Sequence, residues 1–78
     1  MTKGEKFQLS QPLYGIVFAG SDMKAILIPL NSVVEVLTTR ENDKHMVEVG
    51  WRGTTVMLFA RHVQESGIPV KRPHANGP

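Results

Sequence analysis

The three histidines, His45, His62 and His74, are the side chains best suited to acid–base or metal chemistry. A helical zinc pair needs i,i+4 spacing, and a full site needs three or four convergent donors. No two of these histidines have that spacing, and no cysteine stands ready to join them. They read as surface residues. No serine lies in a nucleophile elbow, so Ser-His-Asp chemistry has no support. Tyr14 to Asp22 is a strand-like run containing Gly20, but the next segment, Lys24 to Pro29, reads as another strand. A phosphate cradle needs a helix N-terminus or a lysine-bearing loop there, so Gly20 is better taken as a turn residue. Glu41 and Asp43 fall in a charged loop, and Glu35 and Glu48 fall at outward strand positions. No carboxylate pair is placed for proton transfer. The expectation is a non-catalytic chain with no cofactor and no metal.

Those residues sit in a chain of 78, enough for one domain with one small core. The apolar fraction is 41%, a little below the globular norm. Secreted domains of this size are usually held by disulfides, and a chain without cysteine does not fit that class. Met1 to Lys6 carries charge with no apolar stretch behind it, unlike a signal peptide. The longest apolar run, Ala25 to Leu30, falls far short of the roughly 20 residues of a membrane helix. A cytoplasmic chain without membrane contact is expected. The pI of about 9.3 invites a nucleic-acid reading. Up to Gly67, however, Lys/Arg at 3, 6, 24, 40, 44, 52 and 61 are balanced by Asp/Glu at 5, 22, 35, 41, 43, 48 and 65. The net charge of +2 comes from Lys71 and Arg72 alone.

Alternation supplies the elements. Residues 1–12 form an N-terminal segment in which Phe7 and Leu9 alternate, with Pro12 pointing to an edge strand. Leu13 to Ala19 is a strand with Tyr14, Ile16 and Phe18 on one face and Leu13, Gly15 and Val17 on the other. Gly20-Ser21-Asp22 turns it into Lys24 to Pro29. Asn31-Ser32 turns again, into the β-branched run Val33 to Thr39. Arg40 to Lys44 reads as a solvated hairpin tip. His45 to Trp51 and Thr54 to Phe59 pair across the Arg52-Gly53 turn. Ala60 to Ser66 is expected to make a short 3₁₀ or helical turn, stopped by Gly67. The fold expected is all-β, a five-stranded barrel over 13–67, with 68–78 as a flexible tail.

Ile28-Pro29-Leu30-Asn31-Ser32-Val33-Val34-Glu35-Val36-Leu37 resembles the aliphatic-Pro-x-Gly-x-x-Val-x-Val-Leu stretch of bacterial Src homology 3-like domains. Val47-Glu48-Val49, the turn at Trp51 to Thr55 and the closing Leu58 to Val63 resemble that family's second half. The resemblance covers about residues 25–66 and implies the small barrel. Asn31 stands where the family usually has Gly, and Val56-Met57 where it often has Gly-Trp. The ligand-groove aromatics of its eukaryotic relatives are not evident, so no ligand carries over. The chain is also similar to short uncharacterised bacterial proteins, which adds no activity.

Both faces of the closing hairpin are apolar. With Val47, Val49, Val56 and Leu58 inward, Met57 and Phe59 point out beside Met46; in the opposite register Val56 and Leu58 point out instead. Either way apolar surface remains unless Phe7, Leu9 and the N-terminal segment fold across it. Exposed apolar patches on small domains mark contacts. The chain is therefore read as a protein-interaction module, binding an unknown protein or a second copy through Met46, Trp51, Met57 and Phe59. The weaker alternative is a nucleic-acid-binding barrel, with Arg52, Arg61, His62, Lys71 and Arg72 on phosphates and Trp51 or Tyr14 as a stacking platform.

Overall fold

Strands dominate because β-branched and aromatic residues recur with period two, and each turn carries a residue that accepts a positive φ. The computed structural model describes residues 1–70. Its elements are β1 (Lys6–Leu9), β2 (Leu13–Ala19), β3 (Asp22–Ile28), β4 (Val33–Val36), β5 (Met46–Trp51), β6 (Thr54–Phe59), α1 (Ala60–Ser66) and β7 (Gly67–Pro69). All the strand pairs are antiparallel, and the sheet order is β3-β2-β6-β5-β4-β1-β7.

Local chemistry explains the turns. Gly20-Ser21 links β2 to β3 in two residues, with φ 64° at Gly20 alone, the signature of a type II′ turn. Arg52 and Gly53 link β5 to β6 with φ 51° and 74°, the type I′ pattern whose twist matches the strands. Asn31 takes φ 71°, and the Ser32 N–H donates to the Pro29 carbonyl at 3.2 Å. An asparagine thus fills the left-handed position where glycine is the easier choice.

The core lies on the concave side. Phe7 and Leu9, Leu13, Ile28, Val34 and Val36, Val47 and Val49, and Val56 and Leu58 alternate into it. Ala60 and Val63 of α1 close one end. The inward assignment of Val47, Val49, Val56 and Leu58 is the one found. The sheet coils far enough for Leu13 and Ile28 to share this core with Leu9 and Val63. No ladder joins β3 to β7, so the expected closed barrel is corrected to an open, coiled, seven-stranded sheet.

Three further expectations change. β1 is an interior strand, between β4 and β7, rather than an edge or a flap across the closing hairpin. Ile68 and Pro69, expected in the tail, form β7, and the Val70 N–H donates to the Lys6 carbonyl at 2.9 Å. The remainder of that expected tail, residues 71–78, lies outside the described residues. Of the 3₁₀ and helical readings for Ala60 to Ser66 the structure has the second, so the 3₁₀ turn of the expected barrel becomes an α-helix, which ends at Gly67 in extended conformation (φ −91°). Phe59 at the N-cap offers no side-chain oxygen, so α1 is held by its buried Ala60, Val63 and Ser66. Ser66 is satisfied from the β1–β2 connection: Ser10 N and Oγ donate to its carbonyl, and Gln11 Nε2 donates to its hydroxyl.

Gly15 marks the tightest approach in the sheet. A Cβ there would run into Val56 Cγ1 and lie 2.9 Å from Leu58 Cδ2 and 3.2 Å from the Met57 carbonyl. The missing side chain lets β2 lie against β6, where Ile16 pairs with Met57. Gly50 is roomier: a Cβ would meet only Leu37 atoms at 3.6 Å or more. Gly15→Ala should therefore lose about 1–3 kcal/mol, as overpacking does. In a thermal melt followed by circular dichroism, that is a drop of roughly 4–8 °C per kcal/mol. Gly50→Ala should stay within about 0.5 kcal/mol of the parent, the usual span for substitutions that disturb no packing.

Candidate functional site

A coiled single-layer sheet has a wet convex side, and here that side is divided by chemistry. On β1, β4 and β5 the outward residues are Lys6, Gln8, Val33, Glu35 and Glu48, with Lys6 directly opposite Glu35. On β2 and β3 they are Tyr14, Ile16, Phe18, Met23, Ala25 and Leu27, and none carries a charge. Cross-strand pairs fuse the second set into one surface: Tyr14 with Leu27, Ile16 with Ala25, Phe18 with Met23. Ile16 then pairs with Met57 of β6, and continuing that antiparallel register brings Tyr14 opposite Phe59. Tyr14 is 71% exposed, Met23 61%, Phe18 58% and Phe59 41%.

The same hairpin carries its charges on the other side. Lys24 shares its face with core residues Ile26 and Ile28 and lies opposite Val17, with Asp22 next to the turn. Toward its tip the hairpin runs past the core, so its charged side is solvated and its convex side stays apolar. A protein that only needed solubility would place the charges on the convex side.

Of the four residues expected to bind a partner, Met57 and Phe59 lie on this apolar surface. Met46 does not offer itself: it is only 4% exposed. Asn42 is bonded to both backbone groups of Met46, accepting from its N–H at Oδ1 (2.9 Å) and donating to its carbonyl (3.0 Å), so the 42–46 loop folds back onto the start of β5. Trp51 is half-buried and packs against the core, with the Arg52 guanidinium 5.1 Å from its ring centroid. That cation–π contact covers one face of the ring. Tyr14, Phe18, Met23 and Leu27 are absent from the expected set. Their signal is the apolar period-two row 14, 16, 18, which is hard to read because both faces of β2 are apolar.

Arg52 and Arg61, the arginines of the nucleic-acid alternative that lie among the described residues, are not gathered. Arg52 precedes β6 and Arg61 follows it, so they flank opposite ends of a six-residue strand, about 20 Å apart at ~3.3 Å per residue. Lys71, Arg72 and His74 lie outside the described residues.

His45 and His62, seventeen positions apart in sequence, line one open cleft of about 500 Å³ together with Glu41, Lys44 and Arg61. Every titratable side chain in it is exposed. His45 Nδ1 lies 3.3 Å from Glu41 Oε1, an exposed pair of little energetic weight. The His62 ring meets Phe59 edge-on at 5.3 Å between centroids. Among the described residues, no three His, Cys, Asp or Glu side chains are grouped to hold a metal. No helix there is long and apolar enough to cross a membrane. No family model, curated protein or solved structure matches the chain.

Burial separates the surface from the core in a way that substitution can read. Phe18→Lys and Met23→Lys should melt within a few degrees of the parent, because both side chains already face water. Met46→Lys should unfold the domain or cost several kcal/mol, because it buries an unpaired charge. Circular dichroism melts of the three variants decide this.

Proposed function

We propose that the chain is a non-catalytic protein-interaction module that docks a protein partner on the convex apolar surface of β2, β3 and β6. One observation carries this reading. Phe18 and Met23 stand exposed as a cross-strand pair and Tyr14 stands exposed further along β2, with no charge among them, while the other half of the convex side carries Lys6, Gln8, Glu35 and Glu48 beside Val33. Their exposed area is on the order of 500 Å², within the 300–600 Å² of the largest patches on soluble monomers, which are often functional. Tyrosine and phenylalanine supply large contact area at low entropic cost, and methionine adapts to an uneven partner.

The absence of catalysis is part of the proposal. The Glu41–His62 cleft brings two histidines and a carboxylate to one place, and its groups are solvated rather than held in a dry, oriented site. The Src homology 3-like reading is likewise a proposal. The Asn31 turn, the Arg52-Gly53 hairpin and the short helix after β6 support it, and the open sheet weighs against it.

The test is photo-crosslinking capture from a bacterial lysate with the probe at position 14, on β2 and away from the β3 edge, comparing the parent with Phe18→Lys. The parent should yield a discrete crosslinked species that the variant loses. Equal yield from both, or none from the parent, overturns the docking surface.

A further inference from the structure

The outer backbone of β3 is a second unpartnered feature, and it belongs to the edge of the sheet rather than to its convex face. Of the two sheet edges among the described residues, β7 is blunted: it has three residues, and one is Pro69. β3 is the opposite case. It has seven residues, no proline and no positive φ, and it pairs with β2 at every position. Natural edge strands are usually protected by a proline, a bulge or charges along the exposed row. Its only charges, Asp22 and the inward-facing Lys24, lie on the other face, where in the register below Lys24 meets Ile26 of the second copy rather than a like charge; the convex row is Met23, Ala25, Leu27.

The two-residue turn sets which backbone groups are free. In such a hairpin the pair flanking the loop, Ala19 and Asp22, exchanges both hydrogen bonds, and bonded pairs then alternate. Residues 22, 24, 26 and 28 therefore turn their N–H and C=O toward β2. Met23, Ala25 and Leu27 turn theirs away from the sheet. This set is symmetric about Ala25.

We propose that the chain forms a twofold dimer by pairing β3 antiparallel with β3 of a second copy, centred on Ala25. In that register Met23 lies opposite Leu27 of the second copy, Ala25 opposite its own counterpart, and Leu27 opposite Met23. All three outward-facing residues of each copy find partners, giving six N–H···O bonds. Centring on Leu27 would put Ala25 opposite Pro29, which has no N–H to donate. Centring on Met23 would put Ala25 opposite Ser21, in the turn. The favoured register also sets apolar side chains against each other across the axis, with no charge in the row.

Association stops at two. With β7 blunted, each copy has one receptive edge, and a twofold axis consumes both. The ladder hides on the order of 500 Å² per copy, below the roughly 800 Å² of a standard interface, so the dimer forms with rising concentration. This dimer is held by the backbone of the edge; it shares Met23, Ala25 and Leu27 with the convex docking surface but leaves Tyr14 and Phe18 of β2 outside, so Phe18→Lys separates the two.

Light scattering after size exclusion, at low and high protein concentration, should show the mass rise from one chain to two. Ala25→Pro removes the outward N–H at the axis without touching the ladder to β2, so it should stay monomeric with an unchanged circular dichroism spectrum. The cysteine-free chain allows a second reading should that variant not fold. Ala25→Cys places two thiols about 5.5 Å apart in Cα distance, within disulfide reach, and should crosslink on mild oxidation. Met23→Cys places its twins about 13 Å apart at ~3.3 Å per residue and should not. A parent that is monomeric at high concentration overturns the proposal. So does a dimer that lacks this cysteine pattern and is broken by Phe18→Lys, which would place self-association on the convex surface instead. A β3 dimer that survives Phe18→Lys while lysate crosslinking is lost supports both readings.

Discussion

The β2–β3 hairpin joins the rest of the sheet at one crossing, where Ile16 pairs with Met57 and Gly15 leaves room for Val56. Much of the molecule depends on that contact. It swings Leu13 and Ile28 into the core while the far end of the hairpin runs beyond it. It aligns the convex rows of β2 and β6, so that apolar side chains on two separate hairpins make one surface. Among the described residues it also leaves β3 with one neighbour. A side chain at Gly15 would push β2 away from β6, and core, surface and edge would change together.

The division of the convex side gives that geometry a meaning. A single-layer sheet buries one face, and its other face is normally polar. β1, β4 and β5 obey this rule, with Lys6 opposite Glu35 and Glu48 facing water. β2, β3 and β6 break it. Places where a local rule is broken without a local gain in stability are where function is expected. The enzyme reading has no comparable departure: His45, His62 and Glu41 are solvated, as surface residues should be.

The strands and turns are largely legible in the sequence because their signals are local. Glycine and asparagine occupy left-handed turn positions at 20, 31 and 53, and alternation in β5 and β6 identifies their inward residues. Arg52, also left-handed, is legible as part of the Arg-Gly pair. The open topology is not legible, because strand order depends on pairings between residues far apart. β7 is three residues with a proline and carries no periodicity; it exists because Phe7, Gln8 and Leu9 offer it a ladder. Met46 looks exposed from its place in the alternation, yet it is buried, at the point where the loop closed by Asn42 folds back onto the start of β5. On β2 both faces are apolar, so periodicity groups Tyr14, Ile16 and Phe18 without saying which way they point. Gly15 decides it, since the face with no side chain at that position is the one crowded by Val56 and Leu58 of the core.

The pairing of β1 with β7 also bears on how the chain reaches this state. The turn-linked hairpins β2–β3 and β5–β6 need only near neighbours and can form within microseconds. β1 meets β7 across almost the whole described chain, with Phe7 opposite Pro69, and its loop-closure cost is met late. On the ribosome, β1 must wait for residues beyond 60 to emerge before both of its sides are covered. Over that interval Phe7 and Leu9 sit on a strand with an open flank. The Ser10 and Gln11 contacts to Ser66 then fasten α1 and β7 onto the waiting strand, making the C-terminal turn of helix the latch of the fold.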